Sequence, residues 1–309
     1  MPKPLIVAIV GPTAAGKTAL SLALASRFPA EVVSVDSRQV YRGMDIGTAK
    51  PTTMERARLP HHLIDIVDPT DDFSLAAYLD IARPAIRDVH DRGNLPLLVG
   101  GTGQYLWALL EAWRIPSVAP DAAYRQELAD IGEAQGAQAL HTRLAQVDPD
   151  SAASIDPRNQ RRVIRALEVH HQTGVPFSRV RRRGPEPYHF LILGLTMPRD
   201  DLYQRIDRRV NGMIEAGWAD EIARLLDSGV TPEHPSMGSV GYRALVSHLA
   251  GELALDDAIH NAKTATHRFA RHQYAWFRLS DTRIHWLNSG DDVEAVAGAL
   301  VQEGLTSYR

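Results

Sequence analysis

The sequence has no cysteine, which excludes disulfides and thiolate metal sites and fits a reducing compartment. It also lacks a strong charge of either sign. The formal net charge is only −3 over 309 residues, so any attraction to nucleic acid must come from local clusters. There is no long apolar run. Near the N-terminus the one apolar stretch, LIVAIV (Leu5 to Val10), is too short for a signal-peptide core and far too short to cross a bilayer. These absences lead us to expect a soluble, cytoplasmic protein with no membrane partner. Internal repeats and low-complexity tracts are missing as well. What remains is an ordinary globular composition, 44% hydrophobic, sufficient for one large α/β domain or two smaller ones.

The opening of the chain reads as a buried strand, a glycine-containing turn and a helix from about Lys17 to Phe28. A second strand, EVVSVDS, follows. After a helical stretch over about Ser74 to Arg92 comes a third, Leu95 to Gly101. Phe190 to Met197 and RIHWLN near Arg283 are later candidates. Near-continuous apolar strands separated by helices indicate a parallel sheet covered on both faces. Between Pro116 and His189 the strand signal gives way to two or three helical patterns. The spacing therefore predicts a core over residues 1–115 and 190–309, with a helical insertion over 116–189. Charge in that insertion is segregated. Asp121 to Asp156 holds two Arg against seven acids, whereas Arg158 to Arg183 holds eight Arg against one Glu.

GPTAAGKT, residues 11–18, matches G-x-x-x-x-G-K-[ST] directly after a strand and at the start of a helix. Gly11 and Gly16 let the backbone N–H groups of Thr13, Ala14 and Ala15 wrap an anion. Lys17 adds a full positive charge, and Thr18 is placed to ligate Mg²⁺. Such a clamp suits any diphosphate or triphosphate. A nucleotide hydrolase also needs an acid at the end of an apolar strand, and the third strand here ends in LLVGGTG, with none. Asp36 is the acid on a strand terminus, grouped with Ser37, Arg38 and Gln39 where open parallel sheets place ligands. Gln39 carries the donor and acceptor that an adenine edge requires. The plainer alternative is a turn cluster capping the next helix.

GPTAAGKT, SVDSRQVYRGMDIGTAKP, HHLIDIVDP, LLVGGTGQYL, DPRNQRRVIRALEV, VGYRAL and THRFARHQYAWFR, in this order, resemble the bacterial tRNA dimethylallyltransferases over nearly the whole chain. The resemblance implies a P-loop NTPase-like fold whose clamp holds the diphosphate of an isoprenoid. It implies transfer of a dimethylallyl group to the exocyclic amine of the adenosine 3′-adjacent to the anticodon, with Mg²⁺ as cofactor. By the same resemblance Asp36 is the general base, Thr102 stands at the reaction centre and Arg209 contacts diphosphate. Arg205, four residues before Arg209 on a helix, is a second diphosphate candidate.

The tRNA anticodon stem-loop would meet Asp36 to Gln39, Thr102, Tyr124, the segment Gln160, Arg161, Arg162, Val163 and Ile164, and the segment Val240, Gly241, Tyr242 and Arg243. A stripe of Lys263, His267, Arg271, Tyr274 and Arg278 on a helix from Leu255 to Leu279 suits a nucleic-acid backbone, and RVRRR (179–183) reads as a basic loop. A monomer is expected. Competing readings are isopentenyl transfer to free adenine nucleotides, which a basic insertion disfavours, a small-molecule kinase, and an RNA-binding nucleotide switch that would leave the RNA covalently unchanged.

Overall fold

A computed structural model describes residues 3, 5–115, 119–180, 182–185, 188–290 and 292–307. The chain divides into two compact units, residues 1–110 with 186–309, and residues 111–185. The first unit begins with β1 (Leu5–Val10), α1 (Lys17–Ala25), β2 (Ala30–Ser34), α2 (Thr53–Arg58), β3 (His61–His62), α3 (Leu75–Asp91), β4 (Leu95–Val99) and α4 (Gly103–Leu110). The second unit comprises β5 (Trp113–Arg114), α5 (Ala122–Gln135), α6 (Ala137–Val147), α7 (Pro149–Ser154), α8 (Gln160–Thr173), α9 (Phe177–Val180) and β6 (Arg182–Arg183). The first unit then resumes with β7 (His189–Thr196), α10 (Arg199–Glu215), α11 (Trp218–Asp227), α12 (Tyr242–Leu249), α13 (Leu255–Trp276), β8 (Ile284–Asn288) and α14 (Val293–Ser307).

The sheet has six parallel strands in the order β3-β2-β4-β1-β7-β8. Every residue of central β1 is buried, as both-face coverage requires. Leu5, Val7 and Ile9 share a core with Leu20 and Leu24 of α1 and with Ala297 and Val301 of α14, while Ile6, Ala8 and Val10 alternate to the other face. α3 packs on β2 and β4. Its start is set by Ser74, whose hydroxyl accepts from the Ala77 N–H. Two residues are too few to show a period, which is why β3 escapes a sequence reading.

Glu31, buried at the edge of β2, ties three elements together. Its carboxylate accepts from Arg92 Nε at 2.9 Å, Arg92 Nη2 at 2.6 Å and Asn94 Nδ2 at 2.7 Å, and lies 2.6 Å from His62 Nε2. The Arg92 hydrogen bonds, against opposing burial, hold this carboxyl at about 2, below its ordinary 4.5. A folded value below the unfolded one contributes stability above pH 4.5 that is lost as pH falls through about 2. Thermal melts across that window should show Tm falling more steeply for the natural chain than for Glu31→Gln. Parallel curves would remove Glu31 from the acid response.

In the second unit, α5, α6 and α8 enclose Leu128, Leu140, Leu144, Val163 and Leu167. Buried Glu168 accepts from the Asp121 N–H at 2.8 Å and from Arg125 Nε at 2.7 Å, and it pairs with Arg165. The lone acid of the basic stretch is thus a core residue that neutralises two of the nearby arginines. Among its described residues the unit carries five helices rather than two or three. It is also not purely helical, since β5 and β6 form a two-residue antiparallel ladder. The RVRRR segment is not a plain loop: it ends α9 and forms β6. Arg181 and Pro116 lie outside the described residues.

Candidate active site

The phosphate clamp is formed as its spacing implies. Gly11 has φ of +134°, and a Cβ there would stand 2.5 Å from the Leu195 carbonyl oxygen, so no other residue fits. Ala14 adopts φ of +65° and Gly16 φ of +102°, turning the loop into α1. Ala14 and Gly16 line a cleft of about 670 Å³ at the carboxyl ends of the strands. Thr13, Ala14, Gly16, Lys17 and Thr18 stand on one side, Asp36, Gln39 and Thr48 to Pro51 on another, and Arg205, Arg208 and Arg209 of α10 on a third. Ala15 is buried behind the clamp.

Lys17 donates to the carbonyls of Gly11 at 3.0 Å and Pro12 at 2.8 Å. Burial first, and then the neighbouring Arg209 cation, lower its ammonium to about 8, with Asp36 opposing them. Burial likewise disfavours the Arg209 charge, while Asp36 and Glu55 support it. The free cleft is therefore rich in cations that an anion would relieve. Inorganic diphosphate should bind less tightly as pH rises through about 8, because a neutral Lys17 must first take up a proton. Calorimetry in buffers of different ionisation heat should register that uptake. Affinity independent of pH across this range would contradict it.

Asp36 follows β2. Its Oδ1 accepts from the Arg38 N–H at 2.8 Å and the Gln39 N–H at 3.4 Å, while Oδ2 has no hydrogen-bond partner among the described residues. The turn reading thus accounts for Oδ1. Thr102 Oγ1 accepts from the Ser37 N–H at 3.0 Å and donates to Ser37 Oγ at 3.3 Å, so the loops after β2 and β4 are locked side by side. The missing acid after β4 has a steric reason. A Cβ on Gly100 would meet the Val35 carbonyl oxygen at 2.1 Å, and one on Gly101 would meet Gln273 Nε2 at 1.9 Å.

Gln273 is the residue that a sequence reading misses. Buried on α13, it accepts from the Thr13 N–H at 2.7 Å and donates to the Gly101 carbonyl at 3.2 Å, joining the clamp to the loop after β4. The signal was there, since Gln273 shares the buried face of α13 with Ala258, Ala262 and Ala270. A polar residue on such a face must find partners.

Several predicted contact residues have other roles here. Tyr242 is fully buried, with its hydroxyl donating to Glu221 at 2.8 Å, and Gly241 is buried against the Trp218 ring. Both belong to the interior, and of that segment Arg243 is exposed and Val240 half-buried. Val163 is likewise core, while Arg161 and Arg162 are exposed and Gln160 and Ile164 half-buried. Tyr124 stacks on His171 with ring centroids 4.1 Å apart. The donors of the Gln39 amide are spent on the carbonyls of Thr48 at 3.2 Å and Ala49 at 3.1 Å, so they do not point at a ligand. Arg38 Nη1 donates to the Pro235 carbonyl at 2.7 Å.

The basic stripe of α13 is not a free face either. His267 lies 2.9 Å from Asp207 and stacks on Tyr203, and Arg271 donates to the Tyr203 hydroxyl at 3.0 Å. Tyr274 pairs with Thr196, and Arg278 lies past the helix end. Lys263 is half-buried. His267 and Arg271, four positions apart on α13, thus meet α10 side chains on the face where the sequence pattern suggested a nucleic-acid backbone.

A P-loop on a parallel sheet, facing arginines and a strand-end carboxylate, defines an α/β protein of the phosphate-binding class, with a cleft suited to a diphosphate or larger phosphate ester. The family model described as IPP transferase matches residues 39–280, and that of isopentenyl transferase matches residues 4–63. A tRNA dimethylallyltransferase of Roseiflexus sp. (strain RS-1) is 53% identical over 300 residues, covering 97% of this chain and 98% of that protein. The tRNA isopentenylpyrophosphate transferase structure from Bacillus halodurans has TM-score 0.71 and 43% identity, covering 99% and 100% of the two chains. A eukaryotic dimethylallyltransferase solved acting on tRNA has TM-score 0.82 and 28% identity, covering 99% of this chain and 80% of that one. The chain belongs to the tRNA dimethylallyltransferase (IPP transferase) family.

Proposed function

We propose that this enzyme transfers a dimethylallyl group from dimethylallyl diphosphate to the exocyclic amine of the adenosine immediately 3′ of the anticodon in tRNA. The observation that carries this reading is one cleft holding an anion clamp, facing arginines and a carboxylate with a free oxygen, with no acid after β4. The bond from the allylic carbon to the bridging oxygen breaks as the bond from nitrogen to that carbon forms. Asp36 takes the amine proton through Oδ2, and diphosphate leaves with the electron pair. Lys17, Arg205 and Arg209 stabilise the charge that develops on it, and the Thr102 hydroxyl would turn from Ser37 Oγ to donate to the bridging oxygen.

No group of three or more His, Cys, Asp or Glu side chains is arranged to hold a metal ion among the described residues. That suits Mg²⁺, which takes one or two protein ligands and completes its shell with substrate phosphates and water. The Thr18 hydroxyl is the protein ligand in this reading, and the ion neutralises charge on the diphosphate when bound.

The insertion over 116–189 is the tRNA-contacting part, through Tyr124, Gln160, exposed Arg161 and Arg162, and Ile164, joined from the core by Arg243, Lys263 and Arg271. No helix among the described residues is long and apolar enough to cross a membrane, and a cytoplasmic monomer is our reading. The test incubates enzyme, Mg²⁺ and dimethylallyl diphosphate with unmodified tRNA, then weighs the digested nucleosides. Adenosine carrying a dimethylallyl group in place of a hydrogen supports the assignment. Unmodified adenosine alongside consumption of ATP in a parallel reaction would overturn it in favour of a kinase.

A further inference from the structure

The wall of the cleft formed by Thr48, Ala49, Lys50 and Pro51 is irregular backbone, and such a segment needs something outside itself to fix its shape. Its anchor is Glu221 of α11, which is 2% exposed. One carboxylate oxygen accepts from the N–H groups of Asp45 at 2.7 Å and Ile46 at 2.6 Å. The other accepts from the Gly47 N–H at 3.1 Å and the Tyr242 hydroxyl at 2.8 Å. Glu221 forms no ion pair among the described residues. Burying a lone carboxylate is costly, yet only a carboxylate offers enough acceptor sites for three successive amides and a phenol. Gly47 fits because its missing Cβ would stand 2.0 Å from Trp218 Nε1, so the loop is seated hard against α11.

From this anchor the contacts run on to the reaction centre. The carbonyls of Thr48 and Ala49, one and two residues past Gly47, hold the amide of Gln39. The Gln39 N–H in turn binds Asp36 Oδ1, the oxygen that orients the proposed base.

We infer that Glu221 is a positioning residue for Asp36, acting through residues 45–49 and Gln39 and not through the phosphate clamp. This rests on the transferase reading of the cleft. The clamp and Arg209 come from the β1–α1 turn and α10, outside this path. Glu221→Gln preserves shape but replaces one acceptor oxygen with a donor facing amide donors. It should lower kcat by about 10²-fold, the usual consequence of misplacing a reacting group by about 1 Å, and leave KM for dimethylallyl diphosphate unchanged. Glu221→Asp keeps the acceptors and should recover part of kcat.

A purely structural role would lower Tm and leave kcat of the folded fraction intact, and that result overturns the inference. So does a parallel rise in KM for the diphosphate. Should Glu221→Gln fail to fold, Gln39→Leu cuts the same path at the cleft, and unchanged kcat there is equally decisive against it. In the double variant the two losses should not add, as expected for groups in one chain of contacts. A natural enzyme that transfers no dimethylallyl group at all sinks the transferase reading instead, so the two failures are distinct.

Discussion

Asp36→Asn should lower the rate of dimethylallyl transfer by about 10² to 10⁴-fold, the range typical of losing a general base, while tRNA affinity is retained. Asparagine keeps an oxygen to accept from the Arg38 and Gln39 N–H groups, so the turn after β2 survives. What it loses is a site for the amine proton. Single-turnover transfer and filter binding of tRNA separate the two effects, and turnover near the natural rate would take Asp36 out of the chemistry. There is a second signature. Asp36 raises the Lys17 pKa, so its removal should move the loss of diphosphate affinity to a pH below about 8.

Arg209→Gln should reduce kcat/KM by about 10² to 10³-fold, comparable to removing a preorganised charge from a developing anion. Arg209 lowers the Lys17 pKa, so its loss should shift the same pH limb upward, opposite to Asp36→Asn. Opposite movements in two single variants would establish that the three charges share one cleft. Movement in the same direction would break that electrostatic picture. A small effect on transfer with an unmoved pH limb would return Arg209 to an ordinary helix face.

How much of this was legible in the sequence depends on how local each feature is. The clamp was, because it is made by eight contiguous residues whose glycines are needed where they stand. The central strands were too, since β1 and β4 are apolar along nearly their whole length. The stripe on α13 is ambiguous in sequence, because a basic and aromatic face reads the same whether it meets RNA or a neighbouring helix. Here His267 and Arg271 meet Asp207 and Tyr203 of α10. Tyr242 and Val163 sat in recognisable segments, but a segment contains inward and outward side chains, and both of these point inward.

The sequence by itself determined the phosphate-clamp loop and, through the order of its motifs, the family to which the chain belongs. Only the tertiary structure decided what holds the site in shape. Gln273 reaches the clamp across 260 residues of chain, and Glu221 reaches residues 45–47 across 174 to 176. A hydrogen bond of that reach leaves no period or spacing in the sequence. It exists because folding brings α11 and α13 against loops that could not satisfy their own backbone groups.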